Sequence, residues 1–169
     1  HYALVLYRAN KPTQALVEIE RLLRVDPHNP GFRNLHAVVL CRIGDYAPAL
    51  AIYADILRQY PAQTKIWMSY GHALKTAGRQ EEAIAAYRRC IALDPSFGEA
   101  WWSLANLKTF RFSDEDLALM RRQLENTELA AEHRLHLEFA LGKAEEDAAN
   151  YAESFAHYAK GNHLRRGQI

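Results

Sequence analysis

Between Thr64 and Phe97 apolar residues recur at helical spacing, and the rest of the chain repeats that stretch or departs from it. Trp67, Tyr70, Gly71 and Leu74 fall at i, i+3, i+4 and i+7, on one face of a helix. Ala77-Gly78-Arg79 breaks the pattern, since Gly accepts the positive φ that ends a helix without strain. Ala83, Ile84, Tyr87, Ile91 and Leu93 predict a second helix, and Asp94-Pro95 stops it, because proline lacks the N–H that would extend it. The stretch predicts a helical hairpin whose small residues let two helices approach closely.

A shift of 34 residues reproduces the pattern. Pro95 lands on Pro61 and Pro27, Ala83 on Ala49 and Ala15, Tyr87 on Tyr53 and Ile19, and Gly78 on Gly44. A lone two-helix unit buries too little of its apolar face, so stacked neighbours must supply the core. Trp-x2-Tyr-Gly-x2-Leu, then Ala-x3-Tyr, then Pro resembles the tetratricopeptide pattern. The resemblance implies an all-α fold: a right-handed superhelix of about five hairpins in a single domain over residues 1–169.

The repeats are expected at about 1–29 (partial), 30–63, 64–97, 98–134 and 135–168. The first contains Ala3, Leu4, Leu6 and Tyr7, then a stripe of Ala15, Ile19, Leu22 and Leu23. About five residues of its opening helix are expected upstream of His1, by subtraction from the repeat frame. The second repeat offers Leu35, Val39 and Leu40, then Ala49, Ile52, Tyr53 and Ile56. The fourth starts in register, with Trp101, Leu104 and Ala105 in the places of Trp67, Tyr70 and Gly71. It then turns irregular: Thr109-Phe110-Arg111-Phe112 replaces the short turn. Ser113 follows as an N-cap before Asp114, Glu115 and Asp116, whose charges complement a helix macrodipole. Leu117, Leu119, Met120 and Leu124 continue that helix, and 126–131 reads as a second irregular connection. The fifth recovers the pattern with Leu141-Gly142, a turn near Asn150, then Phe155, Tyr158 and Ala159 as packing residues. Its tail from Gly161 is polar and basic, and Arg165-Arg166-Gly167 reads as fraying helix or linker.

Composition alters this picture only at the edges. The 169 residues are 49% hydrophobic and 24% charged with a net charge of +1, which gives no global attraction to nucleic acid or membrane. Residues 1–110 carry 13 Lys/Arg against 9 Asp/Glu, and residues 111–169 carry 8 against 11. Cys41 and Cys90 lie far apart on helical patterns and read as buried thiols in a reducing, cytoplasmic setting. No apolar run approaches membrane-spanning length, and no signal-peptide profile is present. The start at His1, inside a helical pattern, suggests a piece of a longer protein.

Two segments carry a narrower likeness. AWWSLANLKTFRFSDEDLALMRR (100–122) and LHLEFALGKAEEDAANYAESFAHYAKGNHLRR (135–166) resemble the repeat region of bacterial tetratricopeptide-sulfotransferase proteins. In those proteins the array precedes a sulfotransferase domain. That domain holds the phosphates of a sulfate-donor nucleotide on a Gly/Ser/Thr-rich turn between strand and helix. The sequence offers no such turn, no GxxxxGK[ST] and no GxGxxG. The resemblance therefore implies a parent that transfers sulfate, with the catalytic domain beyond residue 169 and no cofactor for this chain.

Candidate chemistry within the chain reads as structural. His133-x2-His136, flanked by Glu132 and Glu138, places two imidazoles about one turn apart but lacks HExxH and further ligands, so packing or surface histidines are expected. Glu81-Glu82, Asp114-Glu115-Asp116 and Glu145-Glu146-Asp147 read as first-turn or solvent-facing carboxylates. No nucleophile elbow frames a serine. No catalytic residue and no metal site is predicted.

The informative stripe lies beside the packing face. Lys65, Met68, His72 and Lys75 recur at i, i+3, i+7 and i+10 along one line of a helix. The shift of 34 places Gly31, Asn34, Val38 and Cys41, with Arg42 adjacent, on the same line one way, and Glu99, Trp102, Asn106 and Thr109 the other way. In tetratricopeptide arrays such helices line the concave side. The resemblance then implies a groove formed by Arg8, Asn34, Arg42, Lys65, Met68, His72, Lys75, Trp102 and Asn106. Amides can hold a peptide backbone, and cations select carboxylates, so an acidic protein or peptide is the expected partner. The set is only partly Lys and Asn, which disfavours the carboxylate clamp of chaperone-binding arrays. The alternative is structural: the repeats form a homodimer or brace the attached domain.

Overall fold

The computed structural model describes residues 2–167, and among these all regular structure is helical. The helices are α1 (Tyr2–Arg8), α2 (Pro12–Val25), α3 (Pro30–Ile43), α4 (Tyr46–Gln59), α5 (Thr64–Thr76), α6 (Gln80–Leu93), α7 (Gly98–Ala105), α8 (Asp114–Leu124), α9 (Ala131–Asp147) and α10 (Tyr151–Arg166). The chain forms two compact units, one up to Ala86 and one from Tyr87.

In the first unit successive helices pack on one another: α1 on α2, α2 on α3, α3 on α4 and α4 on α5. The turns explain the hairpins. Gly44 ends α3 at φ 95°, with its N–H on Cys41 O and the Asp45 N–H on Leu40 O at 2.9 Å. Gly78 repeats this 34 residues later, at φ 81°, with its N–H on Lys75 O and the Arg79 N–H on Leu74 O at 2.9 Å. Both occupy the left-handed region where a β-carbon is disfavoured. The recurring alanines Ala15, Ala49 and Ala83 are all fully buried, as are the larger residues four positions on, Ile19, Tyr53 and Tyr87. The small side chain lets neighbouring helices close while the large one fills the space beside it.

The periodicity of indoles also has a physical origin. The Trp67 Nε1–H donates to Pro61 O at 2.9 Å in the first unit, and the Trp101 Nε1–H donates to Pro95 O at 2.9 Å in the second. Each indole ties a helix to the proline turn before it and satisfies a polar group that would otherwise be costly to cover.

The second unit is organised on α9, which packs against α7, α8 and α10. Phe110 and Phe112 of the irregular connection meet edge to face at 5.1 Å, and Phe112 lies 5.9 Å from the Trp101 ring. The Arg88 guanidinium covers Phe110. Ser113 caps α8 in a capping box, accepting from the Asp116 N–H while the Asp116 carboxylate accepts from the Ser113 N–H.

Several expectations are corrected here. Phe155 does not pack: it is 75% exposed, and Ala159 is exposed too. The buried side of α10 consists of Ser154 and Gly161, with the Ser154 hydroxyl donating to Gly142 O at 2.7 Å. Gly142 lies under the Tyr158 ring and Gly161 under the Phe139 ring, so glycines on both helices set a close α9–α10 approach. The basic tail is helical through Arg166, whereas Gln168 and Ile169 lie outside the described residues. Glu145 is not solvent-facing: it is 3% exposed, bonded to Arg121 and Asn150. Asp116 is also engaged, in a two-bond pair with Arg88. Cys90 is buried, but Cys41 is only half-buried.

Candidate functional site

In the first unit α1, α3 and α5 leave two clefts that share Tyr7 and Val38. One, of about 500 Å³, is lined by Leu4, Phe32, Asn34 and Leu35 in addition. The other, of about 350 Å³, adds Cys41, Arg42, Ser69 and His72. Their walls are apolar with a few polar groups, the composition of a surface that binds by shape and orients by hydrogen bonds.

Of the predicted residues, Asn34 lines the first cleft, and Arg42 and His72 line the second. Asn34 is half-buried, and its Oδ1 is shielded from solvent without a hydrogen bond from the protein. Such an unpaired buried acceptor costs about 1–3 kcal/mol until something pairs with it. Arg42 lies 5.8 Å from the Tyr7 ring centroid, and its Nη2 donates to Asn10 Oδ1 at 3.0 Å, so the cation is held beside the cleft. His72 is exposed on α5 and lines the second cleft. Cys41 lines the second cleft. Burial raises its thiol pKa, which keeps it protonated and a weak nucleophile at neutral pH.

The other predicted residues are placed differently. Arg8, Lys65 and Lys75 are exposed at the ends of α1 and α5 and line neither cleft. Met68 is 4% exposed and belongs to the core, contrary to the expectation of an open stripe. On α5 the buried positions are Met68, Gly71, Ala73 and Leu74, with Trp67 and Tyr70 half-buried, so the covered arc is wider than one stripe and includes position 68. Trp102 and Asn106 belong to the second unit. There Trp102 is half-buried with its ring 5.6 Å from that of Phe139, and the Asn106 Nδ2 donates to Trp102 O at 2.9 Å. The stripe read from the sequence includes Val38, which lines both clefts, whereas sequence reasoning missed Tyr7 and Ser69 as lining residues. Tyr7 reads as an ordinary apolar position, and only its place on a neighbouring helix turns it to the clefts.

The paired histidines serve packing. His133 Nδ1 accepts from the Gly98 N–H at 3.3 Å and its ring faces Phe97 at 5.5 Å. His136 is half-buried, and desolvation lowers its pKa. No helix among the described residues is long and apolar enough to cross a membrane.

Helical hairpins whose turns and indole contacts recur at one spacing define a helical-repeat protein. Its residues 3–107 are tetratricopeptide repeats: profiles of that family match residues 3–64 and 64–107. The fold is that of the crystal structure of MamA, with a TM-score of 0.72 and 14% identity over 99% of this chain and 96% of that one. The chain is 31% identical over 88 residues to the peroxisomal targeting signal receptor of Kluyveromyces lactis, covering 48% of this chain and 16% of the receptor. It is 26% identical over 86 residues to the anaphase-promoting complex subunit cut9 of Schizosaccharomyces pombe, covering 51% of this chain and 13% of that protein. The chain thus spans a small fraction of the length of the receptor and of cut9.

Proposed function

We propose that this chain is a protein-binding module, and that the paired clefts of its first unit receive a peptide segment of a partner. The observation that carries this reading is Asn34, which lines an open, largely apolar cleft and whose amide oxygen is buried beside it with no partner in the protein. With the amide turned to the cleft, a peptide N–H would relieve that cost, and Arg42 beside the second cleft would favour a carboxylate on the same segment. The relatives include a targeting-signal receptor and a subunit of a multiprotein complex, which supports a role in protein recognition without naming a partner.

Titrating the chain with matched acidic and basic peptides tests this. Acidic peptides are expected to bind more tightly, less so as salt rises, and Asn34→Ala is expected to weaken them. Indifference to peptide charge and salt would remove the electrostatic half of the reading, and unchanged affinity in Asn34→Ala the other half.

The finer reading follows the sequence likeness at 100–122 and 135–166: the partner is the polypeptide substrate of an attached sulfotransferase domain in a cytoplasmic parent protein. A coding sequence that continues past Ile169 into a strand and a Gly/Ser/Thr-rich turn would support it, and any other continuation would remove it. A second reading, self-association, is favoured by Tyr151 and Phe155, 69% and 75% exposed on one side of α10. Light scattering decides between a dimer that Phe155→Ser dissolves and a monomer.

A further inference from the structure

A cleft of about 700 Å³ opens in the second unit, lined by Arg121 and Leu124 of α8, Arg134 and Glu138 of α9, and by α10 through His157, Lys160, His163 and Leu164. Leu124, Ala159 and Leu164 supply aliphatic surface, and Arg121, Arg134 and Lys160 outnumber the one carboxylate of the lining, Glu138. Residues 111–169 hold 8 Lys/Arg against 11 Asp/Glu, so this lining runs against the local balance. Three of the acids are engaged elsewhere: Asp116 with Arg88, Asp147 with Lys143, and Glu146 with the Tyr158 hydroxyl.

Inside the cleft the charges do not cancel. Arg121 is answered by Glu145 at 2.6 Å, and His157 Nδ1 faces the buried Glu138 carboxylate at 2.7 Å. Arg134 instead donates to two carbonyls, Leu124 O at 3.0 Å and Asn126 O at 2.6 Å. Those bonds fix the guanidinium while leaving its charge unneutralised and three of its five N–H groups available. No described carboxylate pairs with Arg134 or with the exposed Lys160. A held guanidinium with spare donors, a free ammonium and the aliphatic side chains of Leu124, Ala159 and Leu164 together select an anion that also carries an apolar group.

We propose that this cleft is a second binding site, distinct from the clefts of the first unit, for a protein segment in which an aliphatic side chain is flanked by carboxylates. The aliphatic group would lie over Leu124 and Leu164, and the carboxylates would meet Arg134 and Lys160.

The test is an amide-resolved NMR titration of the full chain with a peptide pool of fixed central leucine flanked by Asp and Glu. Parallel pools replace the acids by Lys and Arg, or the leucine by serine, and a single-stranded DNA oligomer serves as a bare polyanion. The acidic leucine pool is expected to shift the amides of Lys160, His163 and Leu164, and the serine pool to bind at least about tenfold more weakly. Lys160→Glu is expected to weaken binding about fivefold without changing the melting curve, since Lys160 is exposed and unpaired. The proposal is overturned if these amides stay still at millimolar pool, or if the basic pool shifts them equally. It also fails if DNA or the serine pool binds as well as the leucine pool, which would make the cleft a plain counter-ion patch. Shifts confined to Asn34, Arg42 and His72 would overturn it while leaving the first unit's role intact; shifts confined to Lys160, His163 and Leu164 would do the reverse.

Discussion

Gly98, the first residue of α7, lies so close to His136 that a β-carbon on it would stand 2.8 Å from the His136 Cβ and overlap the His133 carbonyl oxygen. The obstruction is partly helix backbone, which does not swing aside as a side-chain tip does. Gly98→Ala must therefore push α7 away from α9, the helix on which the second unit is built. Overpacking of this kind costs about 1–3 kcal/mol. The urea midpoint, followed by the fluorescence of the buried Trp101, is expected to fall accordingly. Gly167→Ala is the control: its nearest neighbour would be at an ordinary 3.5 Å, so the midpoint should hold.

Ala149 holds a conformation that Gly78 holds in the first unit. Its φ is 62°, with its N–H on Glu146 O and the Asn150 N–H on Glu145 O at 2.8 Å, the same turn that Gly44 and Gly78 make. An L-residue with a β-carbon is strained there by about 1–2 kcal/mol. Ala149 is exposed, so its methyl recovers little through packing. Ala149→Gly is expected to raise the thermal midpoint, contrary to the usual effect of Ala→Gly. A lowered midpoint would mean that the extra freedom of glycine in the unfolded chain outweighs the relief.

These two sites show where the amino-acid pattern carries the fold and where it runs out. The turns at Gly44 and Gly78 and the buried alanines are legible because one physical requirement recurs at one spacing. Ser113 is legible because an N-cap needs only its own helix. The α9–α10 pair is not. α9 is covered by three helices, so Leu135, Leu137, Glu138, Phe139, Ala140, Leu141, Gly142 and Glu145 are all buried and no apolar stripe stands out. On α10 the contact side is Ser154 and Gly161, chosen for smallness, while Phe155 lies about 100° further round the helix and faces out. The candidate site is legible in part: Val38, Cys41, Arg42 and His72, on the stripe or next to it, line one cleft and Asn34 the adjoining one, whereas Arg134 and Lys160 share no sequence spacing and line one cleft only through tertiary packing.

Met68 and Lys65 separate core from surface on a single helix. Met68 is 4% exposed and Lys65 is exposed one turn before it. Truncating a buried methionine removes transfer energy and leaves a cavity, at a cost of about 2–5 kcal/mol. Met68→Ala is expected to lower the urea midpoint markedly and Lys65→Ala to leave it in place. Equal small effects would return Met68 to the surface stripe.

Asp116 joins the start of α8 to Arg88 through bonds of 2.6 and 2.9 Å and accepts from the Ser113 N–H at 2.9 Å. Burial pushes its carboxyl up, but the hydrogen bonds and charge of Arg88, with the Ser113 amide, outweigh burial and hold it below the usual carboxylate range. In the unfolded chain the group titrates near the ordinary value of about 3.9. Between the two values the unfolded chain binds more protons than the folded one, so stability rises with pH there. The contribution is complete above the unfolded value and lost as pH falls through the lower folded one. Asp116→Asn keeps an oxygen for the Ser113 N–H but has no charge to lose. It is expected to be less stable than the parent at pH 7, and the gap should close as the pH drops below about 4. Urea midpoints of the two proteins between pH 7 and pH 2.5 measure the gap, and parallel curves over that range would show that Arg88 and Asp116 are not coupled in the folded chain.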